Sequence, residues 1–161
     1  MACNIWSNVS LSYGRLYKRI LDIPDIPNMP DVNLKHVQRM TDDFGIIQFA
    51  KQHYPDIESG YTLDDNARAL LVSVMHYSHF KEFKTLQLLK TYLNYLKYVQ
   101  NKDGKMLNYV DKNKNINFKD WSEDAQGRAI WALGVMLSNE YIPEDFKMEG
   151  IKIIEKSIPV I

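Results

Sequence analysis

The chain has a single cysteine, Cys3, in 161 residues. One cysteine cannot form an intrachain disulfide, and this composition favours a reducing compartment. No run of about eighteen apolar residues occurs, so the sequence predicts no membrane-spanning helix. The N-terminus also lacks the basic segment and apolar stretch of a secretory signal. We therefore expect a cytoplasmic protein without a membrane partner.

The sequence also has no excess of charge of either sign, because twenty Lys and Arg residues balance twenty Asp and Glu residues. A nucleic-acid-binding surface needs a basic excess, so no nucleic-acid partner is expected. The glycine-rich nucleotide loops and the Gly-x-Ser-x-Gly elbow of hydrolases are missing. The four histidines lie at no metal-ligand spacing with Cys or acidic residues, and we place His76 and His79 at the surface. The sequence thus predicts neither a metal nor a cofactor.

Apolar residues at helical spacing dominate the sequence, and almost no segment has the pattern of a strand. The pattern predicts a helical leader over residues 1–23 and, over residues 32–161, an all-α domain of helical hairpins. Three prolines in seven residues exclude helix from the linker between them, residues 24–31. Within the domain, helices are predicted over residues 34–53 (with a bend at 42–45), 62–77, 82–101, 122–139 and 143–157.

The predicted helices differ in their surroundings. The helix over 122–139 is apolar nearly all round, which predicts burial on every side. Connections are long before the helices at 62–77 and 122–139 and short after them. This alternation places the N-termini of those two helices at one end of the domain, as an inner layer with the long loops around it.

A short pattern occurs twice, in two copies that are 60 residues apart without a gap. Residues 60–70 and 120–130 both run through an aromatic residue, a hydroxyl residue and an Asp to an Arg-Ala pair one turn later. Such self-similarity usually means that one supersecondary unit is used again. Each copy falls at the start of an inner helix, so the unit carries its charged residues at one end.

Four acidic residues at these helix starts are the candidates for chemistry: Asp64, Asp65, Glu123 and Asp124. A structural reading explains them as caps, since Thr62 has capping-box spacing to an acid and Ser122 is a natural N-cap. Arg68 and Arg128 each follow an Asp by four residues, so each pair shares a helix face. On spacing alone, the structural and the catalytic readings stay open.

Caps do not require the aromatic residues that precede them, Tyr61 and Trp121. Carboxylates beside an aromatic ring suit glycosidic chemistry, in which one acid protonates the leaving oxygen and a second activates water or attacks. The aromatic ring then stacks on a pyranose face. Asp43, in the acidic pair at 42–43, is either a turn residue or a third carboxylate of such a site.

Three segments resemble blocks of one bacterial family, the α/α-toroid domain that accompanies glycosyltransferases and mannoside-processing enzymes. They are residues 39–46, 60–70 and 121–134, and the leader at 5–17 is similar to the segment that follows a transferase domain. The resemblance implies a six-hairpin, glycosidase-like toroid whose pocket is formed by the acidic helix starts. It also implies a His where this chain has Gln126. The substrate-binding residues that we expect are Tyr61, Arg68, Trp121, Gln126, Arg128 and Asp43.

A six-hairpin toroid needs roughly 300 residues at this repeat length, so we expect the chain to correspond to the N-terminal half of such a domain. Half a toroid leaves inner helices uncovered, and we expect self-association or contact with the remainder of the toroid. Three functions stay open. They are a glycosidase- or transferase-type enzyme, a non-catalytic module that binds an oligosaccharide, and an α-hairpin scaffold that binds protein.

Overall fold

The computed structural model describes residues 6–21, 31–116 and 120–160. The chain divides into two compact units, an N-terminal unit of residues 1–33 and a helical unit of residues 34–161. Most of the predicted linker lies outside the described residues. The sequence-based division into leader, linker and domain therefore stays a prediction.

The N-terminal unit contains the helix α1 (Trp6–Leu21). Leu16 and Ile20 lie four residues apart, so they share one face of this helix. Lys18 and Arg19 lie in its last turn, where positive charge interacts favourably with the helix dipole. The sequence therefore encodes an amphipathic helix here, as the spacing of apolar residues predicts.

Helices and very short strands make up the described part of the helical unit. The helices are α2 (Lys35–Met40), α3 (Leu63–Phe80), α4 (Phe83–Val99), α5 (Glu123–Ser138) and α6 (Glu144–Ser157). The strands are β1 (Ala50–Lys51), β2 (Tyr54–Pro55), β3 (Tyr61–Thr62) and β4 (Tyr109–Val110), paired antiparallel as β1–β2 and β3–β4. Two single-turn 3-10 helices cover Ile57–Ser59 and Ile158–Val160. Most of the described chain is helical, as predicted.

The core lies where α3 packs against both α4 and α5. The connection between α3 and α4 is short because Lys81 adopts a left-handed conformation (φ 57°) and donates its N–H to the Tyr77 carbonyl at 2.9 Å. Such a short connection makes the two helices an antiparallel hairpin. The largest fully buried side chains are Tyr92, Tyr95, Leu63, Leu70, Leu89, Leu96, Met106, Leu133 and Met136.

The predicted helix over residues 34–53 is wrong beyond its first turns. α2 ends at Met40, and the Asp42 carboxylate then accepts the backbone N–H groups of Phe44 and Gly45 at 2.8 and 3.0 Å. An Asp that binds the backbone two and three residues ahead stabilises a turn in competition with a helix. The chain after this turn forms the β1–β2 hairpin instead of more helix.

Burial differs from the prediction at one place in α5 and at one place in α3. α5 is not buried on every side, because Trp131 is 60% exposed on its open face. His76 is buried instead of exposed, and its Nδ1 lies 3.0 Å from the Thr85 hydroxyl across the α3–α4 hairpin. A histidine on the buried face of a helix needs such a polar partner. His79 is exposed, as predicted.

One loop connects the starts of α3 and α5. The Asn108 carbonyl accepts the Leu63 N–H at 2.7 Å, and the Asn108 N–H donates to the Asp120 carbonyl at 2.7 Å. Leu63 is the first residue of α3, and Asp120 lies just before α5. Both helices therefore leave the same loop layer in the same direction, which agrees with the prediction from the alternating connection lengths.

Gly60 provides a test of this loop layer. Its φ is +69°, and an added Cβ would collide with the Val110 carbonyl oxygen on β4. We expect Gly60→Ala to lower the free energy of unfolding by about 1–3 kcal/mol. The same substitution at Gly127, a helical residue with open space around its Cβ position, should raise it by about 0.5–1 kcal/mol. Urea denaturation measures both, and equal effects at the two sites would contradict the prediction.

Candidate functional site

The 60-residue repeat extends into the loops that precede the inner helices. We refer to residues 46–80 as the first repeat and residues 106–140 as the second. The Gln48 N–H donates to the Gly60 carbonyl at 2.9 Å, and 60 residues later the Asn108 N–H donates to the Asp120 carbonyl at 2.7 Å. Two isolated bridges repeat in the same way, Ile47–Tyr61 and Leu107–Trp121. Both repeats therefore attach their loop to their inner helix by equivalent contacts.

A buried side-chain amide fixes each loop. Asn66 and Gln126 occupy equivalent positions and are 0% and 2% exposed. Asn66 Oδ1 accepts the Ile46 N–H at 3.0 Å, and Gln126 Oε1 accepts the Met106 N–H at 3.1 Å. The burial of Gln126 leaves it no surface on which a sugar could bind. Its position supports a structural role in place of the substrate-binding role that we expected.

The N-caps predicted at Thr62 and Ser122 are confirmed. Thr62 Oγ1 accepts the Asp65 N–H at 3.2 Å and donates its own hydrogen to Asp65 Oδ2 at 2.7 Å. At α5, Ser122 Oγ accepts the Ala125 N–H at 3.3 Å. Thr62 thus satisfies one backbone N–H that the helix itself leaves unpaired, and the Asp65 carboxylate is occupied by the hydroxyl of this cap.

An ion-pair network joins the first turns of α3 and α5. Asp64 Oδ2 lies 2.6 Å from Arg68 Nη2, and Asp124 Oδ2 lies 2.8 Å from Arg128 Nη2. Arg128 also crosses between the helices, since its Nε lies 3.2 Å from Asp64 Oδ1. A hydrogen bond from Arg128 to Asp124, and then the Asp64 charge, raise the pKa of Arg128 above its ordinary value.

Arg128 contacts the carboxylates of both Asp124 and Asp64. Arg128 Nε donates to Asp124 Oδ2 at 3.1 Å. Asp64 Oδ1 is buried, and the Arg128 guanidinium at 3.2 Å is its charged partner. Because the arginine side chains are 52% and 37% exposed, solvent screens the attraction within each pair. The network therefore orients groups at the helix ends more than it stabilises the fold.

Glu123 differs from the other three candidate acids. Asp64 and Asp124 are paired with arginine, and Asp65 is paired with Thr62. Glu123 is exposed in the first turn of α5, and among the described residues no hydrogen bond or ion pair reaches it. It is therefore the one of the four whose carboxylate is not already engaged.

Tyr61 lies inside the protein. It is 2% exposed, its hydroxyl donates to Asp42 Oδ2 at 2.5 Å, and its ring packs edge-on against Phe44 with centroids 4.9 Å apart. Burial, and then the hydrogen bond to Asp42, raise its pKa well above the ordinary range of tyrosine. The predicted stacking of Tyr61 on a sugar would need an open ring face, which this burial does not leave.

Trp121 and Asp43 also have partners within the protein. The Trp121 indole N–H donates to Gln126 Oε1 at 2.6 Å, and Lys105 Nζ lies 4.4 Å from its ring centroid. Asp43 lies 3.5 Å from Lys114 Nζ on the loop surface. No ion pair among the described residues joins Asp43 to the arginine network, which favours the turn reading of the acidic pair.

The open face between α3 and α5 contains a cleft of about 480 Å³. Its walls are Ala67, Leu71 and Val72 of α3 and Trp131 of α5, and Arg68 and Arg128 close one end. Binding clefts for small molecules combine this kind of apolar lining with a few convergent polar groups. The structure therefore brings the predicted arginines together with an aromatic side chain that the sequence analysis placed in the core.

Trp131 is the site residue that the sequence analysis missed. The available signal was its spacing, because Gly127, Trp131 and Gly134 recur at four and three residues, on one face of α5. Two glycines on the same helix face make poor core packing. That pattern favours an open face, whereas average hydropathy favoured burial.

Two absences hold for residues 6–21, 31–116 and 120–160. No group of three or more His, Cys, Asp or Glu side chains is placed to hold a metal ion there. None of the helices in those ranges combines the length and hydropathy needed to cross a membrane.

No protein-family model matches the chain, and no curated protein is significantly similar to it. The toroid resemblance therefore stays a prediction that the site has to support by its chemistry.

The structural role of the buried Gln126 amide can be tested by removing its side-chain oxygen. Gln126→Leu leaves the Met106 N–H without a partner in the interior, and such a loss costs about 1–3 kcal/mol. We expect the urea midpoint to fall accordingly. Gln87→Leu on the exposed face of α4 is the matched control and should change stability by less than about 0.5 kcal/mol. A loss for Gln126→Leu no larger than for this control would contradict the structural role.

The burial of Tyr61 predicts that the folded protein loses stability at alkaline pH. Because its pKa is raised in the folded protein, the folded state keeps a proton that the unfolded state releases above pH of about 10. The stabilisation is therefore fully present below pH 10 and is lost as the pH rises. We expect the free energy of unfolding to fall less steeply with pH in Tyr61→Phe than in the wild type. A wild-type slope in Tyr61→Phe would contradict the prediction.

Proposed function

We propose that the helical unit binds a neutral oligosaccharide in the cleft between α3 and α5. The observation that carries this proposal is the exposed Trp131 indole beside two arginines at the start of the inner helices. An indole offers a flat apolar face on which the C–H face of a pyranose can stack. The guanidinium groups and their carboxylate partners supply donors and acceptors for hydroxyl groups at the end of the same cleft.

Charge balance favours a neutral ligand over an anionic one. The network holds Asp64, Asp65 and Asp124 against Arg68 and Arg128, so its carboxylates outnumber its guanidinium groups. A phosphate or uronate would have to displace these carboxylates from the arginines. A hydroxyl group can instead add to the network without separating an ion pair.

Binding without hydrolysis is the reading that the carboxylate contacts support best. A glycosidase needs one carboxyl group for the leaving oxygen and a second for water or the anomeric carbon. Three of the four acids are engaged by Arg68, Arg128 or Thr62. An enzyme would have to use Glu123 together with an acid released from its arginine.

Two finer expectations belong to the same proposal. The first is that α3–α4 and α5–α6 are successive hairpins of an incomplete α/α toroid. The 60-residue spacing of the loop contacts and the shared direction of α3 and α5 support it. The second is a cytoplasmic location, which rests on the single cysteine.

A thermal unfolding screen with neutral oligosaccharides, mannooligosaccharides first, tests the proposal. A ligand at about 100 times its Kd adds about 2.7 kcal/mol to the unfolding free energy, which raises Tm by several degrees. We expect such a rise for the wild type and none for Trp131→Ala. Phe83→Ala is the matched control, because Phe83 is also an exposed aromatic residue and lies at the start of α4, away from the cleft.

The other outcomes distinguish the alternatives. An unchanged Tm with every glycan, or a rise that persists in Trp131→Ala, would refute the cleft as a sugar site. Product formation that disappears in Glu123→Gln while the Tm rise remains would favour the glycosidase reading. Absence of glycan binding together with capture of a folded protein partner would favour the scaffold.

A further inference from the structure

Polar groups lie at only one end of the cleft between α3 and α5. Arg68 and Arg128 close that end, and the walls beyond them are aliphatic apart from the Trp131 indole. A hydroxyl group that faces an aliphatic wall loses hydrogen bonds to water and gains none in return. The cleft can therefore satisfy sugar hydroxyls near the arginines but not along its whole length.

The apolar surface continues along both helices away from the arginines. On α3, Arg68, Val72 and Met75 follow one another at intervals of four and three residues, so they share one helix face. Val72 and Met75 are 42% and 61% exposed, and Trp131 of α5 is 60% exposed. Arg68 and Met75 are about 10 Å apart along the axis of α3. We refer to Val72, Met75 and Trp131 as the apolar strip.

We propose that the neutral oligosaccharide bound in this cleft is part of a glycoside with an apolar aglycone, an alkyl or aryl group that lies along the apolar strip. The inference rests on the proposed function, because the sugar takes the same place near Arg68 and Arg128. It adds the chemical class of the group that is attached to the sugar. The aglycone covers apolar side chains that would otherwise face the hydroxyl groups of further sugar residues.

The burial of hydrocarbon favours an aglycone over a longer glycan. Each CH₂ group that moves from water to a fully apolar environment strengthens binding by about fourfold. The apolar strip lies at the protein surface, so each CH₂ group is buried only in part. A factor of about two for each CH₂ group is therefore expected.

Calorimetric titration of the full chain with methyl, butyl and hexyl mannobiosides tests the inference. The affinity should rise with chain length, and the hexyl compound should bind about thirtyfold more tightly than the methyl compound. Hexanol is the probe for the alkyl chain alone. It should bind far more weakly than hexyl mannobioside, because it has no sugar to contact the arginines.

Two methionine variants locate the alkyl chain. Met75→Gln places a polar side chain of similar size in the apolar strip and should lower the ratio of hexyl to methyl affinity by about threefold or more. Met148→Gln is the matched control, because Met148 is 50% exposed on α6, outside the cleft. This control should keep the wild-type ratio. Circular dichroism and Tm establish that both variants are folded.

The outcomes separate this inference from the proposed function. Equal affinities for the methyl and hexyl mannobiosides would overturn the aglycone and leave the sugar site standing. A wild-type ratio in Met75→Gln would also overturn it, because the chain would then lie elsewhere. Absence of binding by all three mannobiosides, or hexanol that binds as tightly as hexyl mannobioside, would overturn the sugar site together with the aglycone.

Discussion

The hydrogen bond from a loop N–H to a buried side-chain amide is the contact on which each repeat depends. Asn66 and Gln126 accept the N–H groups of Ile46 and Met106, and in both cases the partners are 20 residues apart. A buried N–H must find an acceptor. In these loops the acceptor is a side-chain oxygen of the helix that follows. The amide thereby fixes where each loop crosses its inner helix, and the caps and arginines of the helix start take their places around it.

The helices of the described chain could be predicted because they depend on spacing and on local caps. Thr62 and Ser122 end the loops and begin α3 and α5 as their residue types indicate. The loop before α3 could not be predicted in the same way. Ile46 and Ile47 fit a helical stripe, and only the Asp42 turn and the distant amide of Asn66 decide against a helix. Hydrogen bonds between residues far apart in the sequence cannot be recognised from the hydropathy pattern.

The charged part of the candidate site could be predicted from the spacing of residues, as the helices could. The arginines and acids of the two helix starts meet because a repeated pattern at the ends of parallel neighbouring helices has to meet. The aromatic partner was not predictable from the pattern itself. Tyr61 and Trp121 sit in the motif, yet both are tied to polar groups of the fold. Trp131 lies a turn further along α5, where its exposure depends on which neighbours that helix has.

The 20-residue reach of the amide contacts has a kinetic consequence. Each amide closes a loop of 20 residues within its own repeat, so neither closure requires contacts of the other repeat. In chains built from repeats, folding can begin in any repeat and spread to its neighbour. The loop that Asn66 closes and the loop that Gln126 closes can therefore form independently of each other, in either order.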